Sequence, residues 1–136
     1  MKLLMIYMDE FAYRTRVKNL DSVEDISEEK QSESVLVGFI HVEAEDMDQE
    51  GSVETKLVKN LKWAARKNNT DNIILHSFAH LSESKADPDF TKAMISRAEK
   101  RLIDAGYTAM QTPFGYFLDL DIKAPGTSLA RIFKSF

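Results

Sequence analysis

Apolar positions along the chain fall into short continuous runs and longer spaced stripes, the signatures of buried strands and amphipathic helices. Lys2 to Met8 (KLLMIYM) is the first run, and EFAYRTRV after it reads as a second, more amphipathic strand. Lys18 to Ser34 is polar and acidic, the composition of a surface loop with at most one helical turn. SVLVGFIHVEA, Ser34 to Ala44, is long and β-branched and reads as the central strand. From Ser52 to about Lys67 the period changes, and Val53, Leu57, Leu61, Ala64 and Ala65 recur at helical spacing until NNTD ends the pattern. DNIILHSF is the next strand. A second helix opens with Asp87 as N-cap and Pro88 at its first position, buries Phe90, Met94, Ala98, Leu102 and Ala105, and stops at Gly106. The last third predicts a hairpin turning at PFG (Pro113 to Gly115), then a short C-terminal amphipathic helix carrying Leu129, Ile132 and Phe133.

This succession predicts an α/β (α+β) fold, a single mixed sheet with two main helices packed on it. At 136 residues the chain has the length of one domain, 1–136. With 43% hydrophobic residues, three prolines and five glycines it can bury a core and is not compositionally disordered. The absence of cysteine excludes disulfides, thiolate nucleophiles and Cys-based metal sites, and fits a cytoplasmic location. Asp9 and Glu10 interrupt the opening apolar run before it reaches signal-peptide length, and no other run approaches a membrane span, so no membrane partner is expected. A net charge of −4 argues against coating nucleic acid by bulk electrostatics and leaves room only for a local basic patch.

Three stretches carry candidate chemistry. DMDQEGSVETKL, from Asp46, imitates the start of an EF-hand loop, but Leu57 stands where the bidentate glutamate belongs, so it reads as a solvated acidic loop. The first helix carries Lys56, Lys59, Lys62, Arg66 and Lys67 around Trp63, which lies off the apolar stripe. Lys59, Lys62, Trp63 and Arg66 are therefore candidate RNA contacts, a phosphate-binding face with an aromatic for stacking; a solvated face with Trp63 at a subunit interface has the same pattern. The third stretch is HSFAHLSESKADP, His76 to Pro88, a polar loop where a short turn would do. His41, within the central strand, reads as structural, and His76 and His80 lack a third ligand, so neither a metal nor another cofactor is expected.

FAHLS (Phe78 to Ser82) and PFGY (Pro113 to Tyr116), in this order and about thirty residues apart, resemble the archaeal editing domain of threonyl-tRNA synthetases, whose fold is similar to that of D-aminoacyl-tRNA deacylases. The likeness runs the whole length, through LLMIYMDEF, VLVGFIHVE and the second helix. The resemblance implies a homodimeric deacylase that removes serine wrongly attached to threonine tRNA, proofreading translation without a metal. It also implies a synthetase catalytic subunit as a further partner. The tRNA 3′ end, an aminoacyl-adenosine, would sit in a pocket with His80 as its catalytic histidine. Phe78, Ala79, Leu81 and Ser82 would form one wall, and Phe114, Gly115, Tyr116 and Phe117 the facing one.

The chain departs from the family's pattern at four places. Where the family has a lysine important to hydrolysis, Leu118 stands, and alternation puts Leu118, Leu120 and Ile122 on one face, Asp119 and Asp121 on the other. The Cys-Lys-Gly-His-Pro-Leu segment is Ala124 to Leu129, the glutamate that should follow is Arg131, and the usual His-Ser of the first strand is Tyr7-Met8. Two functions follow: an editing hydrolase, or a catalytically degraded homologue that binds tRNA or protein. An open cleft reaching His80 would favour the first, a space filled by Phe117, Leu118 and Leu120 the second.

Overall fold

The computed structural model describes residues 1–136. Its opening segment is one strand, β1 (Lys2–Lys18), not two. The two-part reading has a physical origin in the sequence's alternation. Even positions Leu4, Ile6 and Met8 contribute to one hydrophobic cluster, then odd positions Phe11 and Tyr13 join the same cluster. Between them the pairing with β2 (Glu29–His41) skips Asp9, opposite Ser34, whose φ is +49°. β2 starts at Glu29, so the end of the segment expected to be loop is strand.

Further along come a 3-10 turn (Ala44–Asp48), α1 (Glu50–Lys67), β3 (Asn72–Ser77), α2 (Pro88–Asp104), β4 (Thr108–Gln111), β5 (Tyr116–Lys123) and β6 (Arg131–Ser135). The sheet order is β4-β3-β2-β1-β5 with β6 also on β1, so β2 is central as expected. β1 is long enough to carry two strands along one side: β6 pairs with Lys2 to Ile6, and β5 with Glu10 to Lys18. Two expectations are corrected here. β4 pairs with β3 in parallel while β5 crosses to β1, so PFG turns between separate strands and not within a hairpin. The expected C-terminal helix is a 3-10 turn (Ser128–Ala130) followed by β6. There the backbone groups of β1 that β5 does not reach find partners, which outweighs a short helical pattern.

Both helices pack on one face of the sheet. Val53, Leu57, Leu61, Ala64 and Ala65 of α1 meet Met94, Ala98 and Leu102 of α2 over Leu3, Met5, Leu36, Ile40, Ile73 and Leu75. The α1 stripe is the one the sequence predicts. On α2, Thr91 and Ile95 are buried too, whereas Ala105 is the C-cap, beyond the last turn, and is exposed. A Cβ on Gly38 would lie 2.7 Å from Leu61 Cδ2, so glycine there lets α1 settle closely on β2. Glu54 ties the helices together through Arg97 at 2.6 Å and Arg101 at 3.1 Å.

β2 and β3 are parallel, and α1 connects them. Their C-terminal ends therefore open at the same end of the sheet, where no tight hairpin closes over them. The Phe78–Asp87 loop lies at that end, and His76 and Ser77, expected in the loop, are the last residues of β3.

Candidate active site

The middle of the loop is fastened to the end of β2. His41 is fully buried; its Nδ1 accepts from Leu81 N at 2.9 Å and its Nε2 donates to Ser84 O at 2.6 Å, which sets a neutral tautomer. Ser82 Oγ donates to Glu43 Oε2 at 2.7 Å, and Ser84 Oγ accepts from Ala44 N at 3.0 Å. Phe78 N and Ala86 N donate to Ile40 O and Val42 O at 2.9 and 3.0 Å. Glu43 is itself held by the α-ammonium of Met1 at 2.7 Å, which also reaches Asp46, the first carboxylate of the EF-hand-like stretch, at 2.9 Å. Burial alone would push the Glu43 carboxyl up, but hydrogen bonds from Met1, Ser82 and Lys2 outweigh it and hold it at about 2. His41 is thus structural, and Leu81 and Ser82, expected in the pocket wall, are anchors outside it.

On either side of these anchors the loop faces a cavity of about 330 Å³, a volume that suits a small ligand. Its lining joins His76, Ser77, Phe78, Ala79, His80, Lys85 and Ala86 to Phe114, Gly115, Tyr116, Phe117, Leu118 and Leu120, with Asn19, Leu20, Ile40 and Val42 behind and Pro88 and Thr91 at the start of α2. His80 and Lys85 are exposed, so the cavity opens to solvent and reaches the histidine instead of being filled by Leu118 and Leu120. Lys85 is the sole Lys, Arg, Asp or Glu in the lining.

His76, on β3, and His80, on the loop, differ in setting. His76 is 6% exposed, and its Nδ1 lies 2.8 Å from Thr112 Oγ1. Burial, with a smaller contribution from His80, lowers it to about 4, so it is neutral at pH 7. His80 is stacked with Phe117 at 6.2 Å and stands edge-on to Phe78 at 4.9 Å, and its ring nitrogens have no hydrogen-bond partner. Phe78, Phe114 and Phe117 give the cavity aromatic walls of the kind on which a nucleobase stacks.

The facing wall is held as firmly as the anchors. Gly115 has φ +85°, its carbonyl accepts from Asn19 N and Leu20 N at 2.7 and 3.3 Å, and a Cβ there would fall 2.7 Å from Val23 Cγ1. Only glycine meets both conditions. The Tyr116 hydroxyl accepts from Ile26 N at 2.9 Å and donates to Glu24 O, so its ring, not its hydroxyl, is what the cavity receives. Asn19, Leu20, Lys85 and Thr91 were not foreseen as lining: the first two come from a segment read as solvent loop, and only the crossing of β5 to β1 brings them here.

A family model for the archaea-specific editing domain of threonyl-tRNA synthetase matches residues 1–136. The chain belongs to that family. It is 33% identical to the threonine–tRNA ligase of Methanosphaera stadtmanae and 32% identical to that of Thermococcus onnurineus, with 99% of the chain covered in each case. The chain spans about a fifth of those relatives, 22% of their length. Among solved structures it shares its fold with the c-Myc DNA unwinding element binding protein, at a TM-score of 0.73 and 10% identity over 100% of this chain and 99% of that one.

Within this editing-domain family the departures can now be placed. Leu118 and Leu120 line the cavity, while Asp119 points away and pairs with Arg14 at 2.8 Å and Arg16 at 3.4 Å. The alternation along β5 is as read, and the position of the family lysine presents a hydrocarbon. Arg131 lies on β6 opposite Ile6 and outside the cavity lining. Met8 is buried in the second core cluster, and Tyr7 packs against the first. Lys59, Lys62, Trp63 and Arg66 form a separate concave surface on α1, joined by Asn60 and by Lys134 of β6. No helix of the chain is long and apolar enough to cross a membrane.

Proposed function

We propose that this domain receives the aminoacylated 3′ end of a tRNA and hydrolyses the ester of a wrongly attached amino acid, with Ser-tRNA(Thr) as first substrate. The observation that supports this most is the open cavity between the FAHLS loop and the PFG turn, in a chain whose family is that of a synthetase editing domain. The terminal adenosine stacks between the phenylalanines and the aminoacyl group reaches towards the histidines. Cleavage needs a water aimed at the carbonyl carbon and a donor for the oxygen as it becomes an oxyanion. His80, untethered at the rim, is the residue for the water, helped by the substrate's own 2′-hydroxyl, and backbone amides of the loop stabilise the oxyanion. The domain acts as a cytoplasmic homodimer, beside a synthetase catalytic subunit.

A second reading has a specific observation behind it. Leu118 puts an alkyl chain into the cavity where the family has a lysine, and an alkyl chain cannot orient water or stabilise an oxyanion, so the domain would bind tRNA without cleaving it. Deacylation of Ser-tRNA(Thr), with other mischarged and D-aminoacyl tRNAs alongside, separates the two. Release of serine by the wild-type chain, lost in His80→Ala, is the outcome expected of the hydrolase; tRNA binding with no hydrolysis of any substrate leaves the binding module.

A further inference from the structure

Outside the cavity, the chain sorts its charges unevenly. Seven of its 18 lysines and arginines pair with carboxylates: Lys2 with Glu43, Arg14 and Arg16 with Asp119, Lys18 with Asp25, Arg97 and Arg101 with Glu54, and Lys100 with Asp104. Of the eleven that do not pair, five gather around Trp63. Lys59, Lys62, Arg66, Lys67 and Lys134 form no ion pair, although the chain as a whole is acidic at −4. Arg66 has only the Tyr107 hydroxyl, at 3.1 Å.

Their grouping follows from the fold. Lys134 of β6 is opposite Leu3, whose side chain belongs to the core beneath α1, so Lys134 emerges on the helix face and reaches the same concavity. Lys134 and Lys67 hold their ammonium groups 5.8 and 5.9 Å from the centre of the Trp63 ring. That ring gathers cations at this surface. Lys59 and Arg66 are seven residues apart on α1, about 10 Å along its axis. A lone phosphate cannot answer charges so spread, whereas a sugar-phosphate backbone can.

We infer that the α1–β6 surface around Trp63 is a second tRNA contact, holding backbone phosphates of the tRNA body while the 3′ end enters the cavity. This rests on the tRNA reading above and assigns no sequence preference to the surface.

Trp63 is the chain's single tryptophan, so its emission reports on this surface alone. The experiment titrates the chain with unacylated tRNA(Thr) transcript at several salt concentrations, using the wild type and a Lys59→Gln/Lys62→Gln/Arg66→Gln triple variant. Poly-glutamate is the competing polyanion. Expected are a change in Trp63 emission on binding, log affinity falling linearly with log salt, and a slope reduced by about 1 for each cation removed. In deacylation the variant raises KM for Ser-tRNA(Thr) at unchanged kcat, while hydrolysis of a seryl-CCA trinucleotide keeps its wild-type rate.

Salt-dependent tRNA binding weakened in the triple variant, with no hydrolysis of any substrate, supports the surface and overturns the hydrolase. Hydrolysis with neither slope nor KM altered overturns the surface and leaves the hydrolase. Poly-glutamate binding as tightly as tRNA overturns it in favour of an acidic protein partner, and absence of both binding and hydrolysis overturns both readings.

Discussion

The stretch from His76 to Pro88 contains two regions that treat polar groups in opposite ways. Between Leu81 and Ser84, backbone and hydroxyl groups bond to His41, Glu43 and Ala44. At His80 and Lys85, on either side, the side chains have neither hydrogen bond nor ion pair and face the cavity. The three histidines form the same series: His41 has both ring nitrogens bonded, His76 one, His80 none. Groups whose bonding is complete hold the loop, and groups left unbonded at a cavity are those free to act on a ligand.

The largest effect should come from cutting the anchored region. His41→Ala removes two bonds, leaves the Leu81 amide and Ser84 carbonyl without partners and opens a void, a loss of about 2–4 kcal/mol. Urea denaturation measures it, and deacylation should fall as well because the loop loses its course. A variant as stable as the wild type would show that His41 does not hold the loop.

Acid should separate the regions in two stages. A group whose folded-state value is depressed stabilises above its unfolded value and loses that contribution as pH falls through the folded one. For His76 the loss runs from its ordinary value of 6.5 down to about 4, on the order of 3 kcal/mol. For Glu43, in the anchor, it runs from 4.5 down to about 2. Melting temperature against pH should thus decline first through the His76 window, and His76→Gln should flatten that first decline while leaving the second. An undiminished first decline in His76→Gln would assign it to other groups.

Much of this was legible in the sequence, and the failures have physical causes. The central strand, the α1 stripe, the Asp87 cap and the alternation of β5 are local patterns that the structure keeps. What local pattern cannot show is which strands share a partner. β1 is long enough to seat β5 and β6 end to end, and that turned a predicted hairpin into a crossover and a predicted helix into an edge strand. Asn19 and Leu20 joined the cavity for the same reason. FAHLS lies beside the cavity, but only the hydrogen bonds divide it into Phe78, Ala79 and His80 at the cavity and Leu81 and Ser82 at the anchor.

The smallest effect on stability belongs to the open region, and it makes the comparison sharpest. His80 and Lys85 are exposed and unbonded, so His80→Ala and Lys85→Gln should each alter stability by no more than about 0.5 kcal/mol. Function should respond very differently. Lys85 is the one fixed charge in the lining, so its loss should weaken binding of adenosine 5′-monophosphate while leaving that of adenosine unchanged, since only the former carries a phosphate for the ammonium. His80→Ala should leave both affinities within a few-fold and remove deacylation. Equal losses for the two ligands in Lys85→Gln would mean that the side chain shapes the mouth of the cavity instead of pairing with an anion. A large drop in stability in either variant would show that the loop has no free region, and the division between anchor and cavity would fail.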